Sequence, residues 1–207
     1  MGIFDFFKKK KKEKQADWLV VGLGNPGGKY AGNRHNIGWM VAHSICEKHN
    51  VSLRQSKSNY NAASFYLKNK IVLVAQPTTY MNNSGEAVKK LIEEFNIPDG
   101  NIIIVIDEYN FPVGKIQLKD SGGSGGHNGM ADILDKITDN KFYRLRCGIA
   151  KNFGPGGLVD YVLSDFRPEE IEKRNIMIKK AVMAIEHLII LDNPTRAMSE
   201  INSGKIF

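Results

Sequence analysis

Five polar residues stand where chemistry could be done: Asn25, His35, Asn82, Asp107 and Asn128. Each sits on a Gly- or Pro-marked loop or at a strand end, and loops held by a rigid scaffold are where functional side chains concentrate. His35, between Arg34 and Asn36, is the side-chain type best poised to take a proton near neutral pH. Alone, a histidine near a helix start would more often be a cap or a surface residue. A carboxylate partner changes that reading, because it fixes the tautomer and stabilises the imidazolium. Asp107 is the candidate partner, since it ends the hydrophobic run Ile102-Ile103-Ile104-Val105-Ile106. No serine or cysteine lies in a nucleophile-elbow context, so water is the expected nucleophile. His43, His49 and His187 fall in expected helices, carry no motif and read as structural or surface residues.

The elements that must hold this set follow from hydrophobic patterning. Trp18-Leu19-Val20-Val21 is a continuous apolar run, as a buried strand requires. A Gly- and Asn-rich loop follows to about residue 35, then a helix over 36–49 with Ile37, Met40, Val41, Ser44 and Ile45 on one face. Residues 60–67 and 70–75 read as two strands joined at Lys68-Asn69-Lys70, the second stopped by Pro77. Asn83 and Glu86 have capping-box spacing for a helix to about Phe95. Pro98-Asp99-Gly100 is a turn before the strand ending on Asp107. Further strands are expected over 115–119 and 143–149. A helix ends near Ile137, one starts at Pro168 with acids in its first turn, and a short last one covers 195–201. Strands interleaved with helices predict an α/β fold: one domain, with helices on both faces of a central twisted sheet. The consecutive strands at 60–75 make that sheet mixed.

The chain of 207 residues is 42% hydrophobic, enough for an ordinary core. Its net charge of +7 leans toward an anionic partner such as nucleic acid. Residues 1–16 hold six lysines against Asp5 and Glu13, a net of +4, which leaves the remainder at +3. Residues 1–17 therefore read as a basic N-terminal extension, a disordered solubilising tail, and residues 18–207 as the catalytic domain. Two cysteines without CxxC spacing argue against a disulfide framework or a zinc site, and point to a reducing cytoplasm. No apolar run is long enough to span a membrane.

Two glycine loops need separate treatment. Gly22-x-Gly24-x-x-Gly27 follows a strand and satisfies a dinucleotide fingerprint literally, but Pro26, Gly27, Gly28 and Gly32 prolong the loop where that fold opens a helix at once. No acidic residue ends a second strand some twenty residues on. A nicotinamide enzyme is therefore only an alternative. The second loop, residues 121–129, holds five glycines with His127 and Asn128. Bare backbone there would let a polar ligand come close. Lys119 before it, and Arg144 and Arg146 on the next strand, could bind phosphate or be an ordinary solvated face.

Together these loops resemble the bacterial peptidyl-tRNA hydrolase family. The resemblance rests on Val21-Gly22-Leu23-Gly24-Asn25-Pro26-Gly27 with Tyr30 and Arg34-His35-Asn36; on Gln76-Pro77-Thr78-Thr79-Tyr80-Met81-Asn82-Asn83-Ser84-Gly85; on Asp107-Glu108; and on Gly122 to Gly129 followed by Tyr143-Arg144-Leu145-Arg146-Cys147-Gly148-Ile149. Blocks in this order run from about Trp18 to Gly204. The resemblance implies hydrolysis of the ester between a peptide and the 3′-terminal ribose of tRNA, by a monomer with no metal or organic cofactor. It implies His35 as catalytic base, Asp107 as its orienting partner and Asn25 as a positioner of water and ester. It further implies Asn82 and Asn128 on the peptide backbone, Tyr30, Tyr80, Met81 and His127 as binding residues, and Lys119 and Arg146 at the tRNA 5′-phosphate. Met130 departs from the leucine many members carry. The lysine-rich extension, outside the family core, could add affinity for RNA, ribosomes or a membrane surface. The alternative within the family is a non-catalytic RNA-binding relative.

Overall fold

A strand buried on both faces has to be apolar at every position, and β1 (Trp18–Gly22) is. Successive side chains feed opposite layers: Leu19 and Val21 enter one core, Trp18 and Val20 the other. The computed structural model describes residues 15–137 and 141–207. Around β1 lie β2 (Arg54–Gln55), β3 (Tyr60–Leu67), β4 (Lys70–Pro77), β5 (Ile102–Glu108), β6 (Ile116–Lys119) and β7 (Tyr143–Gly148). They form one seven-stranded sheet in the order β2-β3-β4-β1-β5-β7-β6. β1 runs parallel to β4 and β5, and β5 to β7, while β3 pairs antiparallel with β2 and β4, and β6 with β7. The sheet is mixed, as its sequence predicts.

Helices cover both faces. α1 (Ile37–Lys48), α5 (Ile171–Leu191) and α6 (Pro194–Asn202) pack on one side, through residues such as Val41, Ile45, Ala181, Leu188 and Ile201. α2 (Ser84–Phe95) and α3 (Asn128–Lys136) pack on the other through Val88, Leu91, Met130 and Ile133. Each Val, Leu, Ile or Met among them stabilises the fold by about 1.5–3 kcal/mol on burial. α1 lies flush on the sheet because Gly22 and Gly38 meet: a Cβ on Gly22 would come 2.1 Å from the Gly38 carbonyl oxygen. On the outer edge, Asn202 at the end of α6 bonds both backbone groups of Leu118 in β6, at 2.8 and 2.9 Å.

Several details differ from the sequence reading. The short helix α4 (Leu158–Val162) and the two-residue β2 were not expected. Asn83 does precede α2, but its side chain caps nothing. The helix instead follows a 3-10 turn, Met81–Asn83, and the Gly85 N–H donates to Asp132 Oδ2 at 2.7 Å. A carboxylate from α3 thus meets the positive end of α2, which local spacing cannot reveal. Ala16 is buried and Asp17 bonds Ile71 and Asn101. The lysines at 8–12 and 14 lie outside the described residues. Among the described residues no helix is long and apolar enough to cross a membrane.

Candidate active site

His35 and Asp107 meet. The 3-10 turn Arg34–Asn36 carries the histidine, and the carboxyl end of β5 carries the aspartate. His35 Nδ1 lies 2.6 Å from Asp107 Oδ1. Against a carboxylate that nitrogen must carry the proton, which leaves Nε2 with a lone pair and no partner among the described residues. The turn is held by its neighbours. Arg34 donates to Glu170 at 2.7 Å and to the Asp165 carbonyl at 2.9 Å, and stacks on Tyr161 and Phe166. Asn33 bonds the Leu163 carbonyl.

The same Asp107 oxygen receives a second imidazole. His127 Nε2 is 3.0 Å away, while His127 Nδ1 accepts the Met130 N–H at 3.2 Å. The acceptor role at Nδ1 places the proton on Nε2, so His127 is a neutral donor to Asp107 and the N-cap of α3 at once. The two rings are tilted, with centroids 4.8 Å apart.

Burial alone would raise Asp107, but the charge of His35 when protonated and the hydrogen bonds from both imidazoles outweigh it and hold this carboxyl far below the usual carboxylate range. Burial alone would lower His35, yet the Asp107 charge and hydrogen bond more than reverse that, so its pKa is raised. Both cysteines are buried and free. Burial, then the Glu47 charge, pushes the Cys46 thiol up to about 11, and Cys147 is raised by burial and by Asp107. Neither is an available thiolate, which fits the expectation of water. The ligand atoms of His35, Asp107 and His127 lie within 4.8 Å of one another, as a metal trio could. At hydrogen-bond spacing they share two protons, which a metal would have to displace.

The asparagine arm joins by a ring of contacts. Asn25 and Asn36 exchange two bonds: the Asn25 N–H to Asn36 Oδ1 at 2.9 Å, and Asn36 Nδ2 to the Asn25 carbonyl at 3.0 Å. Asn25 Oδ1 accepts the Met81 N–H at 2.8 Å, which orients the amide and leaves Nδ2 without a partner among the described residues. Met81 reaches Gly129, where a Cβ would meet Met81 Sδ at 2.5 Å. Gly129 follows His127 and Asn128, so the ring closes on Asp107. Asn82 and Asn128 are exposed beside it.

A cavity of about 350 Å³ opens on this group. His35, Asp107, His127 and Asn128 line it, and so do Lys119, Arg144 and Arg146. The site and the basic residues thus share one space. Asn25, Tyr30, Tyr80, Met81 and Asn82 lie outside its wall. Tyr30 sits under the Lys29 ammonium, 4.7 Å from the ring centroid, and Tyr80 is exposed. Sequence reasoning missed that Arg146 is already engaged, by Glu108 (Nε at 2.9 Å) and by Gln117 at 2.8 Å. The adjacent Asp107-Glu108 pair was the available signal: the two acids face different partners.

The family model for peptidyl-tRNA hydrolase matches residues 19–206. The chain belongs to the peptidyl-tRNA hydrolase family. Among its relatives, the peptidyl-tRNA hydrolase of Thermodesulfovibrio yellowstonii is 40% identical, over 89% of this chain and 98% of that protein. The one from Pediococcus pentosaceus is 37% identical, over 89% and 99%. The crystal structure of peptidyl-tRNA hydrolase from Acinetobacter baumannii superposes with a TM-score of 0.84 at 32% identity, covering 92% of this chain and 96% of that one. The peptidyl-tRNA hydrolase fold therefore extends over the whole sheet and both helical layers.

Proposed function

We propose that this chain hydrolyses the ester between the peptide and the 3′-terminal ribose of peptidyl-tRNA, with His35 as general base and without a covalent intermediate. Family membership supports the reaction. The observation that carries the mechanism is the 2.6 Å contact from His35 Nδ1 to Asp107, which points the basic Nε2 away from its partner. His35 Nε2 takes a proton from water as the oxygen attacks the ester carbonyl, and returns it to the departing ribose oxygen. The Asn25 Nδ2 donor, oriented by Met81, stabilises the oxyanion; loss of one such donor typically costs about 3–4 kcal/mol of barrier. His127 acts through Asp107, as a positioning residue.

Asn82 and Asn128 take the peptide backbone, with Tyr30, Tyr80 and Met81 beside them. An aminoacyl-tRNA presents an ammonium where a peptidyl-tRNA presents an amide, and asparagine side chains favour the amide. Lys119 and Arg146 serve the tRNA 5′-phosphate. The protein works as a cytoplasmic monomer, recycling tRNA after drop-off from the ribosome, and its lysine-rich N-terminus adds contact with ribosomal RNA. Unchanged ribosome co-sedimentation after deletion of residues 1–14 would remove that last element.

The deciding experiment is single-turnover release of an N-acetyl-aminoacyl group from labelled tRNA, beside free aminoacyl-tRNA, with the intact protein and with His35→Ala. Cleavage of the N-blocked substrate alone, lost in the variant, is expected. Binding of tRNA without cleavage would turn the reading to a non-catalytic RNA-binding relative.

A further inference from the structure

A guanidinium taken out of water needs partners for its donors. Two arginines among the described residues are almost wholly buried; Arg34 lacks a partner only at Nε, whereas Arg144 lacks one at every nitrogen. Arg34 donates to Glu170 and to the Asp165 carbonyl. Arg144 is 3% exposed, and none of Nε, Nη1 and Nη2 has a hydrogen-bond partner. Its guanidinium lies over the face of Phe142, 4.7 Å from the ring centroid. Burial lowers its pKa; Asp120 acts against that electrostatically but makes no ion pair with it.

Its surroundings are those of an anion site. Arg144 lies directly across from Lys119 in the β6–β7 ladder, and both line the cavity that holds His35 and Asp107. Arg146, two residues along the strand, is held by Glu108 and Gln117. Gly122, at φ +123°, passes close by: a Cβ there would stand 3.3 Å from Arg144 Nη1. Glycine backbone thus passes over a guanidinium that makes no hydrogen bond and no ion pair among the described residues.

We propose that Arg144 is a phosphate-binding residue, whose guanidinium takes a phosphate of the RNA substrate drawn into the cavity beneath residues 121–126. Arg144 then supplies the uncommitted buried charge of this site, beside the exposed Lys119, and Arg146 shares its own with Glu108. A planar fork of N–H donors matches two phosphate oxygens at once. The role of RNA rests on the functional reading above; the anion site itself does not.

The test uses the full chain, R144Q, and R144K as a second variant that keeps the charge. The first readout is thermal unfolding in inorganic phosphate against chloride at equal ionic strength. Phosphate should raise the Tm of the intact protein and not that of R144Q, with a partial response in R144K. Without phosphate, R144Q should melt at or above the intact protein, since it loses an unpaired buried charge. The second readout is single-turnover cleavage of N-acetyl-aminoacyl-tRNA. R144Q should raise the half-saturating concentration about tenfold at an unchanged limiting rate, and flatten the salt dependence by about one unit of slope.

A lower Tm for R144Q without phosphate, with the phosphate response intact, would overturn the proposal and make Arg144 a structural cation. A lost phosphate response with unchanged half-saturation would overturn the RNA assignment and leave a site for free phosphate. No cleavage by the intact protein would sink the functional reading, while the melting data would still decide for or against the anion site.

Discussion

Residues 25–36 and residues 120–127 reach the same carboxylate by different means. In the first segment each buried polar side chain is anchored inside the protein: Asn25 on Met81, Asn33 on Leu163, Arg34 on Glu170, His35 on Asp107, Asn36 on Asn25. In the second, Ser121, Gly122, Gly123, Gly125 and Gly126 are exposed, and the local bonds are few, such as the His127 N–H to the Ser124 carbonyl at 3.0 Å. One side of the cavity is built to hold a base still. The other leaves donors and backbone open to what enters. Rigid placement and open valence are separate requirements of a hydrolytic site, and here they sit on separate stretches of chain.

Substituting Asp107 by Asn breaks the join between the two segments and carries the largest expected effect. An amide can offer an N–H where two imidazoles already donate, which drives His35 toward the wrong tautomer; about 10⁴-fold in cleavage rate is the scale of such a loss. In the intact protein, kcat/KM should rise with pH through an apparent pKa above 6.5, because His35 is active when neutral and its pKa is raised. Asp107→Asn should move that limb to lower pH. Stability responds in the opposite sense. The raised His35 contributes fully below about pH 6.5, and its share is lost as pH rises through its folded value. The depressed Asp107 contributes above about pH 4, and its share is lost only as pH falls through its low folded value. A Tm profile that climbs through neutral pH in the intact protein and is unchanged in Asp107→Asn would contradict this pairing.

Next in size is Arg34→Met, aimed at the rigid segment. It leaves Glu170 without its cation and should destabilise by about 3 kcal/mol, a fall of roughly 6–12 °C in a chain of this length. His127→Ala removes one donor to Asp107 and the cap of α3, for about 1 kcal/mol of stability; calorimetry and the cleavage assay should move together. Smallest is Gly123→Ala in the open segment, where a Cβ meets nothing within 4 Å. Denaturant unfolding should shift by less than about 0.5 kcal/mol. A large loss there would mean that the open segment is as tightly specified as the closed one.

The sheet and the pairing of His35 with Asp107 were legible because both rest on strong local signals: the Ile/Val run of β5 and the glycine-marked turns. What stayed illegible depends on distant partners. Asn83 has the spacing of a cap, yet Asp132 does the work from another helix. Arg144 and Arg146 alternate on one strand face and look alike in sequence. The positions of Glu108 and Gln117 on the two neighbouring strands separate the paired guanidinium from the unpaired one. Helix α4 has five residues after a glycine-rich turn, too short for any periodicity to register.

The amide of Asn202 has a further consequence. By offering one acceptor and one donor to Leu118, it stands in for the backbone of an eighth strand at the rim of β6. An uncovered rim is where sheets recruit other chains. The last helix therefore acts as a stopper against self-association, and a chain cut short before it would be expected to aggregate even with every residue around His35 in place.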